Sequence, residues 1–278
     1  MKKARFSRSL IFLLLISCGR VPLNTQPVMQ DAEGNVIATR FPVPEGYTRT
    51  SEPAGSFGHY LRNLPLKPSG TSVRYYNGAV KDKHNVYLAV IDMEAGTKDL
   101  QQCADAVIRL RAEYLFAAKN FEQIHFNYTN GFRTEYTKWK DGYRIKVTGN
   151  KAEWIRSAEP SDSYSTFRKY LDNVFMYAGT LSLSRELEKI PYANLQPGDV
   201  LIQGGSPGHA VIVVDMAVNP SGKKVYMLAQ SYMPAQDIQV LCNPANTGSP
   251  WFELNAGDEH IITPEWTFTT EDARRFAE

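Results

Sequence analysis

Cysteine is scarce in this 278-residue chain, which contains only Cys18, Cys103 and Cys242. Three widely separated cysteines do not form the disulfide framework of a small secreted domain. The five histidines are equally scattered, and neither residue type shows the H-x-x-x-H or C-x-x-C spacing of a zinc site. The sequence therefore predicts no disulfide scaffold, no metal site and no cofactor.

The chain also lacks long apolar runs and basic clusters. After the N-terminal segment, the best candidate for a membrane span is residues 211–218. This run contains Asp215 and is far shorter than the about 20 residues that a transmembrane helix needs. Lysine and arginine never cluster beyond a pair, whereas binding to a polyanion needs a basic patch. We therefore expect neither a transmembrane helix nor a nucleic-acid partner.

The first 17 residues have the composition of an export signal. Residues 1–8 carry four basic side chains and no acid, and residues 10–16 are an unbroken apolar run. This run leads into Leu15-Ile16-Ser17-Cys18, which resembles the bacterial lipobox. The resemblance implies cleavage before Cys18 and attachment of lipid such as palmitate to it, and therefore a lipid-anchored protein of the bacterial cell envelope whose partner is the membrane. An ordinary signal peptide that happens to end beside a cysteine is the alternative.

Residues 18–45 mix four prolines with polar side chains and show little periodicity, which is typical of an extended tether. Residues 46–278 are then predicted to form one domain, because the chain is 43% apolar and 12% aromatic, enough for a sizeable core. Loss of residues 1–17 would leave 27 basic against 29 acidic residues, a net charge of about −2.

Apolar periodicity and turn residues predict an α+β class, because helices precede paired strands. Asp99 and Gln102 are spaced much like a capping box, so the long helix is predicted to start at Thr97 or Asp99. Asn130-Gly131 and Asp141-Gly142 are predicted to be hairpin turns. The predicted helices cover residues 56–62, 97–118 and 161–178, and the predicted strands cover residues 86–91, 199–203, 210–217 and 225–231 and parts of 123–147.

His209 lies at a position that is typical of a catalytic histidine. Gly208-His209 follows a glycine-rich loop and opens an apolar strand, and the next antiparallel strand would bring Gln230 near the imidazole. A histidine at a strand edge beside a polar amide is the base and its orienting group in a Cys-His-polar catalytic set. A purely structural histidine remains the alternative.

The same stretch resembles the NlpC-type and CHAP-type cell-wall amidases and peptidases of the papain-like group. The resemblance lies in Pro197-Gly198-Asp199, Gly208-His209 and the strand that carries Gln230, and it covers residues 161–232. It implies a papain-like core of helices packed on an antiparallel sheet, and cleavage of an amide bond in peptidoglycan peptide. Those families place a nucleophilic cysteine at the start of the preceding helix, where this chain has only hydroxyl side chains such as Ser163 and Ser165.

Cys103 is the candidate nucleophile from elsewhere in the chain. It lies near the start of a predicted helix, where the positive end of the helix dipole favours a thiolate. Gln101 and Gln102 beside it are candidate amide donors to an oxyanion. Two alternatives remain open: Cys103 also belongs to an apolar helix face typical of a core residue, and it is able to pair with Cys242.

Four segments together resemble an uncharacterised bacterial lipoprotein family labelled domain of unknown function 4846. They are GSFGHYLR at residues 55–62, DLQQCADA at 99–106, PGHAVIVVD at 207–215 and QSYMPAQ at 230–236. The resemblance implies no activity. The leading hypothesis is therefore a thiol amidase or peptidase in which Cys103 attacks, His209 is the base and Gln230 orients the imidazole. A degenerate module that binds wall peptide or glycan, and a plain scaffolding lipoprotein, are the alternatives.

Overall fold

The computed structural model describes residues 31, 33–83, 85–255 and 257–277. The predicted export signal, the lipidation residue Cys18 and the first part of the predicted tether lie outside these residues. Within the described ranges, no helix is long and apolar enough to cross a membrane.

The described residues form short helices and a larger number of strands. The α-helices are α1 Ile37–Arg40, α2 Phe57–Arg62, α3 Cys103–Ala117, α4 Tyr136–Lys140, α5 Tyr164–Tyr177 and α6 Thr180–Glu186. The strands are β1 Thr48–Arg49, β2 Tyr87–Val90, β3 His125–Asn127, β4 Arg133–Glu135, β5 Tyr143–Thr148, β6 Lys151–Arg156, β7 Glu188–Lys189, β8 Val200–Gln203, β9 His209–Val218, β10 Lys224–Gln230, β11 Gln239–Leu241, β12 Trp251–Leu254, β13 His260–Ile262, β14 Thr267–Thr269 and β15 Ala273–Arg275.

Nine strands form one antiparallel sheet in the order β2-β11-β10-β9-β8-β15-β7, with β1 also paired to β9 and β12 to β10. The predicted α+β class is confirmed. Strand β9 is central and pairs with β8 through Gln203 and His209, and with β10 through Ile212 and Ala229. The strands β8, β9 and β10 form where β-branched and apolar runs were found in the sequence, because such runs fit a sheet covered on both faces.

The core lies on both faces of this sheet. On one face Ile212 and Val214 of β9 join the core cluster that contains Val107 and Leu110 of α3. On the other face Val211 and Val213 belong to a second cluster that contains residues of the β13–β14 hairpin. Alternate residues of one strand therefore anchor α3 on one side and the C-terminal hairpin on the other.

The structure differs from the sequence prediction at the predicted tether and at one of the two predicted hairpin turns. Ile37 and Phe41 are fully buried in the core, so the folded chain begins before Gly46 and the predicted tether does not extend to residue 45. The turn at Asn130-Gly131 is confirmed between β3 and β4. Asp141-Gly142 also forms a turn, but this turn joins helix α4, whose Trp139 is buried in the core, to β5, so it is not a hairpin turn.

The long helix also begins later than predicted, at Cys103. Asp99 does not cap it, because the Asp99 carboxylate accepts the backbone N–H of Ala235 at 2.6 Å, a contact 136 positions away in the chain. The cap is formed by Gln102, whose backbone N–H donates to Asp105 Oδ2 at 3.0 Å. Cys103 is therefore the first helical residue of α3.

Candidate functional site

The first turn of α3 places Cys103 against the start of β9. The backbone N–H groups of Cys103, Ala104 and Ala210 are directed at the sulfur, and Ala210 is the residue that follows His209. The thiol therefore sits at a helix N-terminus that packs on the strand opened by the histidine. Cys103 is 6% exposed and His209 is 1% exposed, so this contact is largely shielded from water.

His209 is the first member of a buried hydrogen-bonded row. Its Nε2 lies 2.8 Å from Oε1 of Gln230, and Nε2 of Gln230 donates to Oε2 of Glu265 at 2.8 Å. The same Glu265 oxygen accepts Nζ of Lys81 at 2.7 Å. Lys81 and Glu265 are 2% and 5% exposed, so they form a buried ion pair behind the amide.

This row fixes the protonation pattern of the imidazole. A carboxylate paired with a lysine only accepts hydrogen bonds, so Gln230 must turn its NH₂ toward Glu265 and its oxygen toward His209. An amide oxygen facing Nε2 of His209 requires the hydrogen on that nitrogen. The second ring nitrogen, Nδ1, is then the unprotonated one and carries the lone pair of a base.

Burial holds both the imidazole and the thiol in their neutral forms. The rings of Tyr232, Trp266 and Phe268 lie 4.8, 5.4 and 5.8 Å from the His209 ring, and this environment lowers the pKa of His209 to about 4. Burial and the nearby Asp105 raise the pKa of Cys103 to about 11. The expected lowering of the thiol pKa by the helix dipole is wrong, because desolvation outweighs it.

A cleft of about 600 Å³ opens beside Cys103. One wall is the segment of residues 99–105, and the facing wall is the start of α6 with the loop of residues 205–208. Met176 and Met233, which are 50% and 53% exposed, lie along it. The thiol, although itself buried, therefore borders a space that is open to ligands.

The glycine-rich loop before His209 makes the close approach that its composition indicates. A Cβ added at Gly208 would lie 2.5 Å from Oγ1 of Thr180 and 2.6 Å from the carbonyl oxygen of Gly205. Thr180 also donates its hydroxyl to that carbonyl at 3.2 Å. Only glycine at position 208 lets the loop lie on α6 and direct His209 into the sheet.

The other sequence candidates lie elsewhere. Ser163 caps α5 through the N–H of Thr166, and Ser165 lines a different cavity. Gln101 turns its side chain toward Arg109, with Oε1 accepting from Nη1 at 2.9 Å, whereas Gln102 lines the cleft. Cys103 and Cys242 are both free thiols, so the proposed disulfide between them is not formed.

No sequence pattern identified Lys81 or Glu265 as part of the site. Lys81 lies in the connection before β2, and Glu265 lies in the turn between β13 and β14, 184 positions apart in the chain. Neither position carries a motif, and a salt bridge at that separation leaves no local pattern. Among the described residues, no group of three or more histidine, cysteine or acidic side chains is arranged to hold a metal ion.

The fold and this site define an α+β domain with a buried row of His209, Gln230, Glu265 and Lys81, and with Cys103 at the start of the helix that packs on the same strand. The chain belongs to the family described as domain of unknown function (4846), which matches residues 37–275. Comparison with curated proteins and with solved structures finds no match.

Proposed function

We propose that this protein is a thiol amidase or peptidase with a papain-like arrangement, tethered by lipid to the bacterial envelope. One observation supports the proposal above all others. The first residue of helix α3 is Cys103, whose sulfur lies near the backbone of Ala210, the residue after His209 on β9, and Gln230 of β10 holds the imidazole. The NlpC-type and CHAP-type enzymes that the sequence resembles use this order of helix start, strand start and neighbouring strand.

In the proposed reaction, Nδ1 of His209 takes the thiol proton of Cys103 as the sulfur attacks the carbonyl carbon of the substrate amide. The N–H groups of the first turn of α3 and the second amide hydrogen of Gln102 are the donors available to the oxyanion. The imidazolium then gives its proton to the departing amine as the C–N bond breaks. Water, deprotonated by the same imidazole, hydrolyses the thioester and restores the thiol.

The resting pair of neutral groups sets the timing of proton transfer. A thiol with a pKa of about 11 does not hand its proton to an imidazole with a pKa of about 4 before the substrate arrives. The transfer therefore accompanies attack, which is general-base rather than ion-pair catalysis. We therefore expect the Cys103 thiol to react slowly with small electrophiles, and the proton transfer to require a correctly bound substrate.

Peptidoglycan peptide is the proposed substrate. A lipid on Cys18 would hold the domain within reach of the wall, and the cleft beside Cys103 is open enough for an extended peptide. The resemblance to wall amidases points to the same amide class. No cofactor enters the proposed reaction.

The test is incubation of the purified protein with defined muropeptides, followed by mass spectrometry of the released fragments. We expect wild type and Cys242→Ala to cleave, and Cys103→Ala and His209→Ala to lose at least about a thousandfold in rate. Equal turnover by all four proteins would overturn the proposal.

Binding without cleavage is the second candidate, and the raised thiol pKa is the observation that favours it. A degenerate site would keep the cleft and bind wall peptide or glycan. Calorimetry separates the two: saturable muropeptide binding by wild type with no released fragment would support the binding module and exclude the hydrolase.

A further inference from the structure

A second cavity, of about 290 Å³, lies on the far side of the segment that precedes Cys103. Leu100 and Phe175 line both this cavity and the thiol cleft, so the two spaces are neighbours. Nothing in the proposed hydrolysis uses the second cavity.

The wall of this cavity is rich in positive charge. Four cationic residues line it, together with two carboxylates: Lys98, Arg109, Arg168 and Lys169, and Glu94 and Asp172. Lys98 pairs with Asp172 at 3.0 Å and Arg109 pairs with Glu113 at 2.6 Å. Within the described ranges, Arg168 and Lys169 have no acidic partner at salt-bridge distance, and the four cations outnumber the two carboxylates on the wall, so the cavity carries an excess of positive charge.

Two buried hydrogen-bond donors on the same wall have no acceptor. They are Nη1 of Arg168 and Nε2 of Gln101, whose side chain is 1% exposed. The Gln101 amide cannot be reversed to remove the mismatch, because its Oε1 accepts Nη1 of Arg109 at 2.9 Å and a reversed amide would turn NH₂ toward a guanidinium. Buried donors without acceptors are rare in folded proteins and call for a partner.

The positive charge of the wall and the unpaired donors both favour an anionic ligand. Burial and the neighbouring Arg109 lower the pKa of Arg168, which is the effect of two cations held together in a poorly hydrated place. An anion with several acceptor oxygens would compensate the excess charge, and small side-chain movements would bring the two buried nitrogens within hydrogen-bond reach of it. Nη1 of Arg168 is buried although the residue is partly exposed, so we expect rotation of this side chain to bring Nη1 to a bound anion.

We propose that this cavity is a binding site for an oxyanion, a carboxylate or a phosphate group, held by Arg168 with Gln101 and Lys169. The volume suits an anionic group with a short substituent. The site is independent of the thiol chemistry, because neither Cys103 nor His209 lines the cavity. A bound anion would rest against Gln101, two residues before the thiol.

The experiment is calorimetric titration of the full chain carrying Cys103→Ala with inorganic phosphate and, separately, with acetate, at constant ionic strength set by chloride. We expect saturable binding of at least one of the two anions. The preferred anion tells whether the natural ligand is a phosphate group or the carboxylate of a peptide. No saturable heat with either anion would overturn the proposal.

Two variants at the site and one control outside it make the result specific. Arg168→Gln is expected to weaken binding by about tenfold or more, because it removes a charged donor. Arg156→Gln, which removes an exposed arginine on β6, is expected to leave the affinity unchanged. Equal losses in the two variants would show non-specific charge attraction and reject the site.

Gln101→Glu covers the case in which Arg168→Gln fails to fold. This substitution keeps the shape of the side chain and the acceptor for Arg109, and it supplies the missing negative charge from within the protein. We expect it to abolish anion binding and to raise the melting temperature measured without added anion. Unchanged anion affinity in Gln101→Glu would overturn the proposal even if Arg168→Gln could not be measured.

Discussion

The His209 ring is surrounded by aromatic side chains and bonded to an amide rather than to a carboxylate. A protonated imidazole would therefore lose most of its hydration and gain little charge compensation. Its pKa of about 4 lies below the ordinary value of 6.5, so the folded protein keeps this histidine neutral in a pH range where the unfolded chain protonates it.

The buried neutral His209 makes the stability of the fold depend on pH. Between pH 6.5 and pH 4 the unfolded chain binds a proton that the folded chain does not, so stability falls as the pH falls through this window. For His209→Gln we expect the loss of unfolding free energy from pH 7 to about pH 4.5 to be smaller than in wild type by about 2 kcal/mol. Urea unfolding at the two pH values measures it.

The exposed His260 provides the control for this stability experiment. His260→Gln removes a histidine whose side chain is exposed on β13, so it controls for the loss of a histidine as such. An identical acid loss in His209→Gln and wild type would contradict the buried neutral imidazole.

The thiol of Cys103 is the second residue whose environment sets its chemistry. Because its pKa is raised to about 11, little thiolate is present at neutral pH. We expect its alkylation by iodoacetamide to be slow at pH 7 and to rise about tenfold per unit between about pH 8 and pH 10. Mass spectrometry of the Cys103 peptide follows the rate, and a plateau already reached near neutral pH would instead reveal a thiolate–imidazolium pair.

Helix α3 shows how far an element and its role can be predicted from sequence. Its existence follows from the apolar spacing of residues such as Val107 and Leu110, which are buried as expected. Its first residue does not, because Asp99 is engaged by Ala235 from a distant loop. Local patterns thus identify the helix and the nucleophile candidate, and a tertiary contact decides that Cys103 is the first helical residue.

The strands that carry the site were easier to predict than the groups behind them. Buried β-branched runs and the Gly208-His209 motif place His209 and Gln230 on neighbouring strands, as the structure does. Lys81 and Glu265 come from segments with no regular spacing, and only the folded hairpin brings them together. Desolvation, which reversed the expected thiol shift, is likewise a property of the packed core and not of the local sequence.

Trp266 and Phe268 of the β13–β14 hairpin contact the His209 ring directly, whereas Glu265 in the same hairpin reaches it only through Gln230, so Glu265 is a positioning residue. In Glu265→Gln, the amide of Gln230 is no longer held in one orientation, and we expect kcat to fall about 10- to 100-fold with little change in KM. Nitrogen NMR of the imidazole should show loss of the single Nε2–H form.

Glu265→Asp should restore part of both signals, because it returns the carboxylate. The double variant Lys81→Met with Glu265→Gln avoids an unpaired buried lysine, whose cost is about 3 to 5 kcal/mol when one partner of a buried pair is removed. An unchanged tautomer in these variants would refute the positioning role whether or not a substrate is known.

At the scale of the whole molecule, the proposed lipid anchor at Cys18 would determine where the protein is located but not whether the domain folds. Replacing Cys18 should leave the domain folded, because the core begins with residues such as Ile37. We expect Cys18→Ser to abolish incorporation of tagged palmitate in bacterial cells and to release the protein from the membrane fraction, since acyl chains contribute about 0.8 kcal/mol per buried methylene. Cys242→Ser is the matched control, and retained lipid in Cys18→Ser would disprove the lipobox.

The ion pair between Lys81 and Glu265 joins parts of the chain that are 184 positions apart. Contacts between segments so far apart in the chain form only after the entropy of closing a long loop has been lost. A polypeptide still being threaded through an export channel would have no oriented imidazole, because the segment carrying Glu265 has not yet met the one carrying Lys81. The proposed hydrolase would therefore become competent only where the entire domain has assembled.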